Sequence, residues 1–400
     1  LRLPILFILI TVVLDAMGIG LIMPIMPDLI REVRGGTLAG AALWGGILST
    51  VFAVMQFGFG PLVGSLSDRF GRRPVLLISL FFMTLDYLVM ALAGSIWLLL
   101  AARIVGGITA ATHATASAFM ADISAPEDKA ANFGLIGAGF GIGFVLGPLM
   151  GGLLAEYGTR APFYAAAALS ALNLLLGACV LRETVRRPRA FSWARANPLG
   201  AFRHLSRMPG IRPLLVVFFL YNLALYVYPA IWAYFTQARF GWSPDIIGLS
   251  LALYGITSAL VQTVLIRSLM RHWGERLTVL QGLFFDIGTC LLLAVVTSGT
   301  VALILTPLAA IGAVVTPALQ GTMSRQVADD AQGELQGVLS SVNALAVILS
   351  TMVMTSVFAA FTAPAAPVQF AGAPFLLAAL LLVIALVIYR RQVNAAAGAA

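Results

Sequence analysis

Gly64-Ser-Leu-Ser-Asp-Arg-Phe-Gly-Arg-Arg73 and, 203 residues further on, Arg267-Ser-Leu-Met-Arg-His-Trp-Gly-Glu-Arg276 are the two stretches that decide the fold. Ser, Leu, Gly and the final Arg coincide between them. Each is a short charged interruption between two long apolar runs. The first falls between the second and third run of the chain and the other between the eighth and ninth. A separation of six runs maps one six-helix half onto the other in the same orientation. Parallel halves of this kind place a substrate site near the bilayer midplane, at their interface.

On either side of these loops lie twelve apolar segments: 4–30, 41–66, 75–93, 96–121, 131–156 and 161–182, then 213–238, 244–268, 277–297, 299–324, 333–361 and 369–390. Each is long enough for an α-helix to cross a hydrocarbon core of about 30 Å. The whole chain is 60% hydrophobic and only 10% charged, with a mean hydropathy of +0.98. Soluble domains carry about 25% charged residues, so the excess apolar surface must face lipid. Continuous rather than alternating apolar runs disfavour a β-barrel. The expected fold is all-α, with a bundle at 1–182, a polar linker at 183–212 and a second bundle at 213–400. The first apolar run carries Asp15 and Pro24 and lacks a cleavage site, so it is expected to stay in the mature protein.

Twenty-four Lys and Arg allow the orientation to be counted. With both ends in the cytoplasm, 19 lie on that side and four (Arg31, Arg34, Arg160, Arg239) on the other, leaving Arg103 within a span. The positive-inside rule therefore predicts cytoplasmic termini. Eight of the positives fall in the linker region, from Arg182 to Arg212, beside a single acid, Glu183. Within it, Leu199, Phe202 and Leu205 share a face next to Arg203 and Arg207, the pattern of an interfacial helix. Positives spread between spans, rather than on one stripe, argue against nucleic acid as a partner. Membrane lipid is the expected surrounding, and a monomer the expected state.

Asp15, Asp86, Arg103 and Asp286 lie where lipid should be. A charge at the bilayer centre costs roughly 3 kcal/mol or more, so these residues read as functional and enclosed in a polar cavity. Burial favours the neutral carboxyl and a nearby arginine the charged one, so an aspartate between the two can load and release a proton. Asp15 and Arg103 are the expected partners in the first half, with Asp286 in the second; structural ion pairing is the alternative reading. Gln56, His113, Asn222, Ser258 and Gln262 are expected to line the cavity, with Tyr226 and Trp232 stacking on a flat substrate or forming an interfacial aromatic belt. Gly139, Gly143, Gly147 and Gly151 recur every four residues, a stripe that permits close helix approach, and Pro148 can bend the helix there; Gly143, Gly147, Pro148 and Gly151 are expected to serve gating as a face that slides during rocking, with tight packing the alternative reading. Asp68, Arg72, Arg73 and Asp122, at the short 64–73 loop and the end of span four, are expected to gate one side. Three histidines with Cys179 and Cys290 supply no nucleophile–base pair or metal cluster at recognisable spacing, so an enzyme and a metal site are not expected.

The 64–73 loop resembles the loop signature of the major facilitator superfamily. Gly143-x-x-x-Gly147-Pro148-x-x-Gly151-Gly152 is similar to the span-five signature of its drug–proton antiporters. Leu14-Asp15-Ala-Met-Gly-Ile-Gly-Leu-Ile-Met-Pro24, Asp86-Tyr87, Gly106-Gly107-Ile108-Thr109, Ala121-Asp122-Ile123, Ala161-Pro162-Phe163, Ile247-Gly248, Pro317-Ala-Leu-Gln320 and Ser324-Arg325-Gln326-Val327 resemble the bacterial tetracycline efflux family. That resemblance implies export of a tetracycline–divalent-cation complex from the cell in exchange for a proton, across the bacterial inner membrane. It implies no cofactor, with magnesium arriving on the substrate. It also implies intramembrane roles for Asp15, Asp86, Arg103 and Asp286 and a gating role for Asp68. Two residues depart from the family: Ser258 stands where it has a histidine, and His113 where it has a glycine. A proton-linked exporter of a metabolite is the alternative function.

Overall fold

The computed structural model describes residues 3–125, 127–185, 197–200, 202, 209–328 and 331–398. Among these described residues, eleven helical stretches are long and apolar enough to cross a bilayer, with mean hydropathies of 1.4–2.6 over their spanning windows. One of them, Pro244–Val295, runs for 52 residues. It holds two spans, because Gly274 (φ 69°, ψ 173°) breaks it. Among the described residues the twelve spanning helices are α1 (Leu3–Ile22), α2 (Leu38–Phe70), α3 (Arg72–Leu92), α4 (Ile96–Ile123), α5 (Lys129–Ala155) and α6 (Ala161–Val180), followed by α7 (Arg212–Phe240), α8 (244–273), α9 (275–295), α10 (Gly299–Ser324), α11 (Gln332–Thr362) and α12 (Ala373–Gly398); a short helix, Met26–Arg34, follows α1. The residues expected to continue the interfacial linker helix, Arg203, Leu205 and Arg207, lie outside the described residues.

The 203-residue register of the two loops persists well beyond them. Helices α3 and α9 begin and end in step, at 72 and 92 against 275 and 295. Gly71 (φ 111°) and Gly274 both sit at positive φ, a conformation glycine adopts without the Cβ penalty. That explains why this glycine recurs in both loops. Ser95 caps α4 by accepting from Trp97 N, and Ser298 caps α10 by accepting from Val301 N. Both capped helices are interrupted at matching depth: α4 loses helical form at 110–111, and α10 tightens to a 3-10 turn over Ala310–Val314.

Contacts divide the chain into two compact units that exchange two segments relative to the sequence halves. The first comprises Leu1–Gly36, Val51–Pro198 and Ser243–Ala252; the second comprises Thr37–Thr50, Leu199–Trp242 and Leu253–Ala400. In the first unit α5 lies along α1. Cβ atoms added to Gly143, Gly147 and Gly151 would overlap the carbonyls of Val13, Met17 and Leu21, so the two four-residue ladders meet backbone to backbone. Gly248, at the start of α8, packs its Cα against the Pro148 carbonyl in the same way. In the second unit α7 packs on α11 and α12, and α9 on α12 and α10; Gly46 of α2 leaves room for Thr355 of α11.

Candidate functional site

In the first unit, Asp86 of α3 and Arg103 of α4 are both about nine-tenths buried and form an ion pair. Gly106, one turn on from Arg103, makes room for the carboxyl: a Cβ there would lie 3.2 Å from it. The guanidinium also touches Met90 Sδ at 2.9 Å and stands 5.1 Å from the Phe52 ring centre, a cation–π arrangement. Arg103 therefore pairs with Asp86 rather than Asp15. The reason is the helix order: α3 neighbours the first half of α4, whereas α1 packs on α5, α6 and the second half of α4. Asp15 is half-buried on α1, one turn after Thr11, whose hydroxyl bonds to Asn173 of α6 at 3.1 Å.

The second unit holds its acid differently. Asp286 of α9 is 1% exposed, and among the described residues neither carboxylate oxygen accepts a hydrogen bond and no cation pairs with it. Its carboxylate fills the space left by Gly312 in the 3-10 turn of α10. The Tyr221 hydroxyl donates to the Gly312 carbonyl at 3.0 Å. Tyr228, Tyr254 and Cys290 are further ionisable neighbours.

The other expected cavity residues separate into two kinds. Gln56 and His113 are exposed and cluster at the break in α4: Gln56 Nε2 reaches the Ala110 carbonyl at 3.5 Å, and the His113 ring meets Phe140 edge-on at 5.5 Å. Gln262 is exposed and donates to Ser258 Oγ at 3.1 Å. It lies in a π-helical stretch, Val261–Leu265, a distortion common at functional sites. Asn222 bonds back to the Phe218 carbonyl at 2.7 Å, and Tyr226 sits half-buried where α7 breaks. Trp232 is 2% exposed, packed by Tyr228, Phe235, Trp242 and Phe375. Its aromatic neighbours lie on α7, on the turn after it and on α12, and sequence spacing could not show that they converge.

The expected gating residues do come together. Arg72 bridges Asp68 at 2.6 Å and Asp122 at 3.2 Å, while Arg73 donates to the Ala178 carbonyl at 2.8 Å. Glu183, a residue without an expected role, completes the cluster. Its carboxylate accepts from the backbone N–H of Arg72 (2.9 Å) and Arg73 (3.2 Å) and so caps α3. Partial burial pushes the Glu183 carboxyl up, but four backbone donors, from Val185, Arg72, Thr184 and Arg73, outweigh it and hold the group below its ordinary range. Thr184 adds a bond to Asp122 at 3.0 Å. At the register-matched place in the second unit, Glu275 pairs with Arg325 and accepts from Thr322 at 2.8 Å. These two residues line a cavity of about 330 Å³ with Arg276, Gln326 and Tyr389, away from Asp286. Among the described residues no group of three potential metal ligands occurs.

The Major Facilitator Superfamily profile matches residues 8–351. The class C tetracycline resistance protein of Escherichia coli is 45% identical over 352 residues, 88% of each chain. The class E tetracycline resistance protein of Escherichia coli is 38% identical, covering 88% of this chain and 87% of its own. The crystal structure of the human organic anion transporter MFSD10 (TETRAN) superposes with a TM-score of 0.71 at 25% identity, over 97% of this chain and 99% of that one. The chain is a multi-pass membrane protein of the Major Facilitator Superfamily, and within it belongs to the family of the bacterial tetracycline resistance proteins.

Proposed function

We propose that this protein is a proton-coupled antiporter that exports tetracycline, as its complex with a divalent cation, across the bacterial inner membrane. The observation that carries the substrate is the 45% identity to a tetracycline resistance protein across 88% of both chains. Proton coupling is supported by Asp286, a carboxyl 1% exposed that pairs with no cation among the described residues. An isolated buried carboxylate is costly, and a proton removes that cost. If protonation also changes which membrane face is favoured, a proton gradient drives the exchange. The 19 to 4 distribution of positive charge supports cytoplasmic termini. With that orientation the Asp68–Arg72–Asp122–Glu183 cluster is cytoplasmic and becomes the gate on that side.

The test uses inverted membrane vesicles with an acidic interior. Tetracycline with magnesium should discharge the gradient and accumulate inside; a gradient untouched by tetracycline overturns the reading. Ser258, in place of the family's histidine, favours a second reading, export of a metabolite with similar polarity. A gradient discharged by such a compound and not by tetracycline selects it.

A further inference from the structure

Two tyrosines outside the expected proton-coupling set stand beside Asp15 and Asp286, and the 203-residue register relates them. Tyr87 of α3 places its hydroxyl where a side chain on Gly18 of α1 would go. Moving both positions by 203 gives Tyr221 on α7 and Cys290 on α9. Large and small residues have exchanged helices, so a phenol occupies the matching space in each half from opposite sides. Both phenols are buried, Tyr87 at 4% and Tyr221 at 3% exposure.

In each half the acid lies one turn before the small residue, on the helix facing the phenol. Asp15 precedes Gly18 on α1, and Asp286 precedes Cys290 on α9; residues three or four apart share a helix face. In the second unit the geometry is closer still. Gly312 touches both partners, its Cα against the Asp286 carboxylate and its carbonyl receiving the Tyr221 hydroxyl. A phenol can donate to either acceptor, so a small rotation of the O–H exchanges the backbone carbonyl for the carboxylate. Besides Tyr221, the ionisable groups facing Asp286 are Tyr228 of α7, Tyr254 of α8 and Cys290 of α9. Tyr87 is the one facing Asp15 from α3.

We propose that Tyr221 and Tyr87 are positioning residues for proton coupling: their hydroxyls bond to Asp286 and Asp15 when those carboxyls have lost the proton. When the carboxyl is protonated, Tyr221 returns to the Gly312 carbonyl. This inference rests on the antiport reading, but its test does not depend on the substrate. The carboxylic-acid infrared band of the purified protein in lipid nanodiscs is titrated with pH, and the Asp286 component is identified by its loss in Asp286→Asn. Removing a donor to the charged form favours the neutral form. Tyr221→Phe, which keeps the ring and its packing, should displace the Asp286 midpoint by about one pH unit, tenfold in proton concentration, in favour of the protonated form. Tyr226→Phe, on the same helix, should leave it in place. Tyr87→Phe should do the same to the component lost in Asp15→Asn. Unmoved midpoints in both phenylalanine variants overturn the proposal. Failure of the efflux reading would appear separately, as wild-type vesicles that ignore tetracycline.

Discussion

Asp86 and Asp286 occupy related places in two six-helix repeats, yet their charges are met in opposite ways. Asp86 shares its burial with Arg103, a cation at any physiological pH; Asp286 shares its burial with tyrosines, a cysteine and a glycine. Their separation of 200 residues, three short of the register, places Asp286 nearer the loop end of its helix by one turn, about 4.5 Å. A carboxylate with a fixed counter-charge is balanced without a proton. One without a counter-charge is balanced by gaining a proton. On the antiport reading proposed above, the Asp86–Arg103 pair is the standing, charge-balanced site, and Asp286, like Asp15, is a place for an exchangeable proton.

The largest expected effect breaks that contrast directly. Asp86→Asn strands the Arg103 guanidinium, and removing one partner of a buried pair costs about 3–5 kcal/mol. Thermal unfolding in detergent should show that loss, and Arg103→Met in the same chain should restore most of it. Asp286→Asn removes an unpaired charge and should leave the melting temperature unchanged or higher. Next comes the α1–α5 contact. Gly147→Ala pushes a methyl into the Met17 carbonyl, and overpacking of this kind costs about 1–3 kcal/mol. Gly141→Ala, with open space around it, should be tolerated in the same assay.

Smaller effects compare the loop ends. Arg72, 15% exposed, serves both Asp68 and Asp122, whereas Arg325, 63% exposed, serves Glu275. Exposed pairs contribute about 0–1 kcal/mol, so Arg72→Gln should destabilise its unit more than Arg325→Gln does. Equal losses would remove the distinction. The smallest effect concerns Glu183. Its folded carboxyl lies below the ordinary value of 4.5, so its stabilising contribution is present above that value. It is lost as the pH falls through the lower folded value. Glu183→Gln should thus reduce stability near neutrality and flatten the decline below pH 4.5, read from melting temperature against pH.

Much of this was legible in the sequence because lipid imposes a coarse and simple code. Apolar length marked the helices, and the 64–73 and 267–276 loops marked the repeat. The cost of burying charge singled out Asp15, Asp86, Arg103 and Asp286. Partnership was not legible. Asp15 and Asp86 are equally apolar-flanked, and only the order of helices shows that Arg103 faces α3 rather than α1. Trp232 looked available to a ligand because its aromatic neighbours are brought to it from separate elements. Glu183 read as one acid among arginines, since a carboxylate capping a helix 111 residues away leaves no local pattern. Tyr87 and Tyr221 were hidden for a related reason: the exchange of large and small residues between helices erases the match that reveals a repeat.

The division between a paired and an exchangeable acid is tested most directly by counting protons. Purified protein in weakly buffered detergent receives tetracycline with magnesium, and the pH change is recorded for the wild type, Asp286→Asn and the Asp86→Asn/Arg103→Met double variant. Drug-dependent proton release should vanish in Asp286→Asn and persist in the double variant. Release that survives in Asp286→Asn, or disappears with the Asp86–Arg103 pair instead, contradicts the account.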